Sequence, residues 1–264
     1  MLQLKNATKI FNPRSLDQKI ALNQLSLDVE EGDFITILGG NGAGKSTLFN
    51  AICGTFLLDS GSIILDGKDI TKEKEHKRAR VIGRLFQDPL KGTAPSMTIE
   101  ENLSLALKGG FFHRSEKANT EYFKEALSML DLGIENRLKA KVGLLSGGQR
   151  QAVTLLMSTI VTPKLLLLDE HTAALDPATA KKVLQITNEI VGKNQITTLM
   201  ITHNIKSALK VGNRTIMLED GRVVLDVKGK ERDTMSVNGF LALYSKEREK
   251  ELDNDRVLLS SIKE

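Results

Sequence analysis

Residues 34–47 read FITILGGNGAGKST, a short apolar run with β-branched residues followed by a glycine-rich loop. The run from Phe34 to Leu38 predicts a buried strand, and the residues from Lys45 onward predict a helix. The loop at 39–47 begins with glycine and contains Gly-Lys-Ser near its end, which is the spacing of a phosphate-binding P-loop. A glycine-rich turn that binds no nucleotide is disfavoured, because the strand and the helix stand where a P-loop requires them.

The loop residues have distinct predicted roles toward a bound ATP. Glycines let successive backbone N–H groups turn toward one point, and the following helix directs the positive end of its dipole there. Lys45 is predicted to reach the β- and γ-phosphates, Ser46 to bind Mg²⁺ through its hydroxyl, and Thr47 to contact the α-phosphate side. The predicted ATP-binding residues of the loop are Gly39, Gly40, Asn41, Gly42, Ala43, Gly44, Lys45, Ser46 and Thr47.

A run of four leucines at 165–168 ends in two adjacent carboxylates, Asp169 and Glu170. The carboxyl edge of an open α/β sheet is where ligands bind, and adjacent residues on a strand point apart. We therefore expect Asp169 to bind Mg²⁺, mostly through water, and Glu170 to accept the proton of the attacking water. Taken alone, such a pair could cap a helix, but the P-loop upstream favours the catalytic interpretation.

The remaining sequence alternates between strand and helix patterns. Apolar and polar residues alternate over 25–29, which predicts an antiparallel layer near the nucleotide. From Thr98 to about Leu132 the pattern is helical, with a capping box at its start, and beyond Pro163 strands and helices alternate as in a mostly parallel sheet. We expect an α/β P-loop NTPase fold: one ATPase domain over residues 1–230, with a helical subdomain at about 88–160 inserted in the core, and a C-terminal helical tail at 231–264.

Composition narrows the class of protein. The 264 residues, 41% of them hydrophobic, can form a substantial core, and the single cysteine, Cys53, excludes an intrachain disulfide and suits a reduced cytosolic protein. The net charge of +4 is only a weak indication of an anionic partner. Five basic residues lie within 72–80, where a solvated face is the expected interpretation and contact with anionic lipid or nucleic acid is the alternative.

Membrane-spanning and secreted classes are also disfavoured. No window approaches the roughly 18 to 20 apolar residues that cross a bilayer, and residues 1–20 lack the apolar block of a signal peptide. We therefore expect the chain neither to span a membrane nor to be exported.

Between the P-loop and the leucine run lies Leu145-Ser146-Gly147-Gly148-Gln149, and this order of three motifs resembles the ABC-transporter ATPase family. The backbone N–H groups at the start of the following helix and the Ser146 hydroxyl form a predicted anion site. The resemblance implies that this site covers the γ-phosphate of an ATP bound to a second, identical subunit. A chance match of small residues is the alternative. The residues that the resemblance assigns to the opposite ATP are Ser146, Gly147, Gly148, Gln149 and Asp176.

The resemblance, which covers Leu2 to about Val227, assigns three further residues. Gln87 would sense Mg²⁺ and the attacking water, His203 would contact the γ-phosphate, and Phe11 would stack on adenine. A surface amide, a structural histidine and core packing are the respective alternatives. With these residues the implied catalytic set is Lys45, Gln87, Glu170 and His203, and the implied Mg²⁺ set is Ser46, Gln87 and Asp169.

Three departures from the family pattern accompany this resemblance. His171 stands where a proline is usual, where it could point into solvent, pack, or change the pKa of Glu170. Gly40 and the helix at 150–157 also differ from many relatives. None of these departures removes a reacting group. With the stretch at 169–177, they resemble importer ATPases that work with lipoprotein-type substrate-binding proteins and tryptophan- or tyrosine-like substrates.

The resemblance thus implies an ATP- and Mg²⁺-dependent ATPase that works as a homodimer beneath transmembrane permease subunits. It would lie at the cytoplasmic face of the plasma membrane, with an extracytoplasmic substrate-binding protein and no nucleic-acid partner. An exporter or lipoprotein-extraction ATPase is one alternative. A soluble ABC factor acting on ribosomes or DNA is another, although such factors usually carry two cassettes or a long coiled-coil insertion. The sequence leaves the substrate and the direction of transport open.

Overall fold

Ten strands and nine α-helices are formed by the residues that the computed structural model describes, 1–107 and 116–261. The strands are β1 (Leu2–Phe11), β2 (Lys19–Val29), β3 (Phe34–Gly39), β4 (Ser60–Leu65), β5 (Lys68–Asp69), β6 (Ile82–Leu85), β7 (Leu165–Asp169), β8 (Thr197–Ile201), β9 (Arg214–Glu219) and β10 (Arg222–Lys228). The helices are α1 (Lys45–Cys53), α2 (Glu75–Arg78), α3 (Ile99–Leu107), α4 (Glu116–Ser128), α5 (Gly147–Thr159), α6 (Pro177–Asn194), α7 (Ile205–Ala208), α8 (Gly229–Asp233) and α9 (Val237–Ser261).

The chain divides into two compact units, one comprising Met1–Lys72 and Ile201–Glu264 and the other Glu73–Met200. The first unit contains an antiparallel sheet in the order β2-β1-β4-β5. One face of β2 is buried, since Leu25, Leu27 and Val29 are at most 4% exposed while the residues between them are exposed. The predicted antiparallel layer is therefore confirmed.

A second set of strands in the first unit, in the order β10-β9-β3, carries the glycine-rich loop. β3 pairs with β9 in parallel, with Ile37 opposite Ile216, whereas β9 and β10 are antiparallel. Both facing isoleucines are fully buried, as are Leu48 and Ile52 of α1. The loop therefore connects two elements that are both anchored in the core.

The C-terminal helices belong to this first unit. Arg232 of α8 is 4% exposed and donates hydrogen bonds to the carbonyl oxygens of Ala208 and Val211, which ties α8 to the segment before β9. Phe240 of α9 is buried in a cluster with Leu38 and Leu225. The beginning of α9 thus contributes to the same core as the strand that precedes the P-loop.

The second unit combines strands in the order β8-β7-β6 with helices α3 to α6. β6 and β7 are parallel, and all four leucines of β7 are inaccessible to solvent. With the parallel pair β3 and β9, this confirms a mostly parallel sheet. The predicted capping box is confirmed as well, since Thr98 and Glu101 exchange side-chain to backbone hydrogen bonds of 2.7 and 3.2 Å.

The helical subdomain at about 88–160 stays a prediction, and its residues 108–115 lie outside the described residues, as do residues 262–264 of the predicted tail. None of the helices in the described ranges combines the length and the apolarity that a bilayer crossing requires.

Candidate functional site

The P-loop of the first unit connects β3 to α1 through backbone angles that favour glycine. Gly39, Gly42 and Gly44 have φ angles of 153°, 85° and 102°. A Cβ on Gly44 would lie 2.5 Å from the carbonyl oxygen of Ala21, so the loop also packs tightly against β2. Gly44 is the N-cap of α1 and offers no side chain to the N–H groups of the first turn. An anion can therefore take these donors.

Lys45 and Ser46 begin α1 in different environments. Lys45 is only 6% exposed, and its ammonium donates to the carbonyl oxygens of Gly39 at 2.7 Å and Gly40 at 2.9 Å. Ser46 is exposed, and Thr47 is half-buried. The loop thus holds an ammonium at its centre and a hydroxyl at its rim, which is the chemistry that a polyphosphate with a bound cation requires.

Phe11 ends β1 at the surface of the first unit. Phe11 is 37% exposed, and its ring and that of Phe56 are nearly perpendicular, with centroids 5.5 Å apart. The ammonium of Lys9 lies 5.7 Å from the Phe11 centroid and 3.2 Å from Asp59 Oδ1. The backbone N–H of Ile10 donates to the Asp59 carboxylate and lowers its pKa, and the nearby Lys9 ammonium lowers that pKa further. Phe11 is therefore an accessible ring on a small aromatic and charged platform rather than part of the buried core.

His203 lies just beyond β8 and is exposed. The backbone N–H of Thr202 donates to the carbonyl oxygen of Ile37 at 3.1 Å, which fixes the segment beside β3. Asn204 then caps α7 by accepting from the N–H of Ser207 at 2.9 Å. Within the first unit, the chain thus holds His203 between a strand contact and a helix cap, and β3 leads directly into the P-loop.

In the second unit, β7 delivers Asp169 and Glu170 to the end of a buried strand. Asp169 is the last residue of β7, and Glu170 follows with a φ of 46°, in the left-handed region that non-glycine residues rarely adopt. The carbonyl oxygen of Glu170 accepts from the N–H of Ala173 at 2.9 Å. The chain therefore leaves the strand at Glu170, so the two carboxylates differ in backbone conformation as well as in position.

Arg84 is a neighbour of this pair that the motif analysis did not identify. Its Nη2 lies 3.7 Å from Asp169 Oδ2, and its guanidinium lies over the ring of Phe86 at 4.7 Å. The Nε atom is buried without a hydrogen-bond partner. A charged residue inside the apolar run 82–86 is the signal that could have revealed it, because a largely buried charge requires an opposite charge nearby. Gln87, two residues after β6, is exposed.

His171 is buried rather than solvent-facing. It is 3% exposed, and its Nε2 lies 3.2 Å from the hydroxyl oxygen of Thr187. Because that hydroxyl donates to the carbonyl oxygen of Val183 at 2.8 Å, the ring nitrogen is the donor. Burial lowers the pKa of His171 to about 4, so the ring is neutral at pH 7. Of the alternatives left open for this residue, the structure excludes solvent exposure and favours packing between β7 and α6.

The motif at 145–149 forms the beginning of α5 in the second unit. Ser146 is the N-cap and exchanges hydrogen bonds with Gln149, whose side-chain NH₂ also donates to the carbonyl oxygen of Leu132. Gly148 packs directly against Thr179, leaving no room for a Cβ. Asp176 caps α6 by accepting from the N–H groups of Ala178 and Thr179, both at 3.1 Å.

The hydrogen bonds from Thr179 lower the pKa of Asp176. The second unit therefore brings the Ser146–Gln149 motif and the Asp176 cap together at adjoining helix ends. The roles assigned to these side chains and to those of the P-loop stay predictions.

Comparison with known proteins places the chain among nucleotide-driven transport proteins. The model of the family described as "ABC transporter" matches residues 22–173. The chain is 49% identical to a tyrosine transport ATP-binding protein of Clostridioides difficile, over 92% of this chain and 98% of the relative. It is 37% identical to a methionine import ATP-binding protein of Rhizobium johnstonii over 77% of this chain, and it matches 56% of that relative's length.

The fold is also similar to that of a solved structure. The dimeric ATP-binding cassette MJ0796, bound to ADP and phosphate in a post-hydrolysis state, gives a TM-score of 0.76 at 30% identity. The match covers 86% of this chain and 98% of that chain. The α/β P-loop fold expected from the sequence is therefore confirmed.

Proposed function

This chain belongs to the ABC transporter family, and we propose that it powers a bacterial-type importer of an aromatic amino acid, with tyrosine as the first candidate. The chain is the ATP-hydrolysing subunit, and it works as a dimer with permease subunits. We further propose that it lies at the cytoplasmic face of the membrane, that the dimer is a homodimer, and that an extracytoplasmic protein delivers the substrate.

The observation that carries this proposal is that one chain has two helix N-termini with the sequence and polarity expected of an anion site. The N-terminal turn of α1 follows the P-loop in the first unit, and the N-terminal turn of α5 follows the Ser146 cap in the second. Since a bound ATP occupies a single P-loop, the second helix end is not needed to bind that ATP. A second, exposed site of the same polarity supports a role toward the ATP of another subunit, and two identical chains could then form two complete sites.

Each reacting residue has a proposed task. Lys45 and the loop N–H groups hold the β- and γ-phosphates, while Phe11 stacks on the base. Glu170 accepts the proton of the attacking water, and Gln87 and His203 orient that water relative to the γ-phosphate. The left-handed backbone of Glu170 supports its assignment, because such strain tends to persist at functional positions. In the closed dimer, Ser146, Gly147, Gly148, Gln149 and Asp176 contact the nucleotide of the opposite subunit.

Mg²⁺ is the proposed cofactor, with Ser46, Gln87 and Asp169 as its candidate residues. Mg²⁺ takes oxygen ligands and is usually held by one or two protein groups, phosphates and water. Asp169 ends a buried strand with its carboxylate partly accessible, and Ser46 is exposed at the start of α1, so each offers one oxygen donor to such an ion. When bound, the ion neutralises charge that develops on the phosphates.

Import of tyrosine is supported by the relative that shares 49% identity over almost all of this chain. The transported molecule passes through the permease, so no side chain described above would recognise it. The permease itself is proposed to contact the segment 88–102, where Leu90 is 44% exposed.

One experiment tests both the chemistry and the cargo. In proteoliposomes containing the permease, the substrate-binding protein and this subunit, enclosed ATP should drive tyrosine uptake. Glu170→Gln should lower ATP turnover by about 10² to 10⁴-fold, the usual contribution of a general base, while ATP binding persists.

The matched control is Glu121→Gln, an exposed carboxylate on α4 that should leave turnover unchanged. Undiminished turnover in Glu170→Gln would remove that residue from its role. ATP hydrolysis that tyrosine does not stimulate and that drives no tyrosine uptake would overturn the substrate, and release of cargo from the opposite face would indicate an exporter.

A further inference from the structure

Lys19, the first residue of β2, places a second ammonium group beside the P-loop of the first unit. Its Nζ lies 3.1 Å from the position that a Cβ on Gly42 would occupy. Gly42, with a φ of 85°, lies in the left-handed region that favours glycine. Because it has no Cβ, the ammonium of Lys19 can approach the loop closely at this point. No phosphate-binding motif includes Lys19, which lies 20 residues before the P-loop begins at Gly39.

The β1–β2 ladder places Lys19 next to the proposed base-binding ring. Phe11 and Lys19 are paired residues of this antiparallel ladder, and directly opposed residues project from the same face of a sheet. The Lys19 side chain therefore starts beside Phe11 and ends beside Gly42. Its path runs from the proposed adenine position to the loop that receives the phosphates.

The charge of Lys19 is available to a ligand, unlike that of the neighbouring lysines. Lys9 is paired with Asp59, and Lys45 donates to two loop carbonyl oxygens. The Lys19 side chain is exposed, and its ammonium makes no hydrogen bond or ion pair within the described ranges 1–107 and 116–261. An unpaired ammonium beside a loop built for polyphosphate has one obvious class of partner, a phosphate oxygen.

We propose that Lys19 is a nucleotide-binding residue that donates a hydrogen bond to a phosphate oxygen of the nucleoside di- or triphosphate held by the P-loop. This inference rests on the proposed ATPase function and adds a residue outside the motifs to the binding site. Because the ammonium recognises phosphate and not base or ribose, its contribution should be present for ATP and ADP and absent for adenosine.

The test compares Lys19→Met, which keeps the length of the side chain without its charge, with the wild type. Binding of ATP, ADP and adenosine is measured by calorimetry in EDTA, so that neither Mg²⁺ nor turnover enters the result. Lys19→Met should weaken ATP and ADP binding by about 5- to 20-fold, as expected for one charge-assisted hydrogen bond at a partly exposed site, and leave adenosine binding unchanged. Raising the salt concentration should shrink the difference.

Two controls separate this role from changes in net charge or in the sheet. Lys5→Met removes an exposed lysine from β1 and should leave all three affinities as in the wild type. Lys19→Arg keeps a positive charge and should retain ATP affinity within about 3-fold. Should Lys19→Met fail to fold, amine labelling of the wild type gives the same information: ATP should protect Lys19 and adenosine should not.

The proposal is overturned if Lys19→Met binds ATP as the wild type does, if it loses adenosine and ATP affinity equally, or if ATP leaves labelling of Lys19 unchanged. These results differ from a failure of the proposed function. In that case the wild type itself would not bind ATP, or Lys45→Ala would bind it as tightly as the wild type does.

Discussion

Gly44 shows how a single residue sets the shape of the P-loop. It has a φ of 102°, and an added Cβ would lie 2.5 Å from the carbonyl oxygen of Ala21. Gly44→Ala should therefore lower the free energy of unfolding by at least about 2 kcal/mol, combining backbone strain with a displaced strand. Gly40→Ala is the control, because a Cβ there meets no atom within 4 Å. Urea unfolding measures both, and equal midpoints would contradict the strained geometry.

The burial of His171 predicts how the free energy of unfolding depends on pH. Burial lowers the pKa of His171 from 6.5 to about 4. Between pH 6.5 and pH 4 the ring is therefore protonated in the unfolded chain and neutral in the folded chain. The free energy of unfolding should fall by about 3 kcal/mol as the pH drops from 6.5 to 4, beyond any change from other groups. Above pH 6.5 both states are neutral and this contribution disappears.

His171→Gln keeps a donor for Thr187 and cannot titrate, so its stability should fall less steeply in that window. Urea unfolding at several pH values in EDTA makes the comparison. His76→Gln, at an exposed position, should retain the wild-type slope. A His171→Gln slope equal to that of the wild type would show that the buried ring does not resist protonation.

At the scale of helices and strands, the N-terminus of α5 depends on its cap. Ser146 accepts from the N–H of Gln149, and the Gln149 side chain accepts from the N–H of Ser146. Ser146→Ala should lower the free energy of unfolding by about 1 kcal/mol, whereas Ser146→Asn should stay near the wild type because asparagine caps equally well. Thermal or urea unfolding distinguishes them, and equal loss in both variants would point to a cause other than the cap.

The elements that the sequence predicted are those with local causes. The strand, loop and helix around Gly39 and the capping box at Thr98 depend on residues a few positions apart, so their spacing is visible in the chain. Arg84 near Asp169 and Lys19 near Gly42 are contacts between residues 85 and 23 positions apart. These residues meet only because β6 pairs with β7 and β2 packs against the loop. The spacing of residues along the sequence does not reveal such contacts.

At the scale of the whole molecule, the cap of α5 leads to a prediction about dimerisation. With hydrolysis slowed, Glu170→Gln mixed with ATP should elute at twice the monomer mass of 29.0 kDa, and with ADP at the monomer mass. Adding Ser146→Asp keeps a helix cap but places a negative charge where a partner's γ-phosphate would lie, so this double variant should remain monomeric. Light scattering after gel filtration measures the mass, and a monomer with ATP would count against the shared site.

The C-terminal helix α9 packs on the core of the first unit although its sequence is rich in charged residues. The sequence predicts a helical tail at 231–264, and charged residues are frequent in α9. Phe240 nonetheless packs with Leu38 and Leu225, and the hydroxyl of Tyr244 donates to Glu219 at 2.9 Å. Met235, Leu243 and Tyr244 pack against the same cluster, so a few apolar residues among many charged ones anchor this helix. Their partners are far away in the sequence, and the local pattern does not show them.

This anchor changes how deletions of the tail should be interpreted. Phe240 covers Leu38, the residue immediately before the loop, so removing the chain after residue 236 would uncover the strand that carries the P-loop. A truncated protein that fails to bind ATP would therefore have lost part of its core. Such a phenotype in a genetic screen is no sign of an activating or inhibitory segment, and a single Phe240→Ala substitution, which leaves the charged remainder of the tail in place, should reproduce much of it.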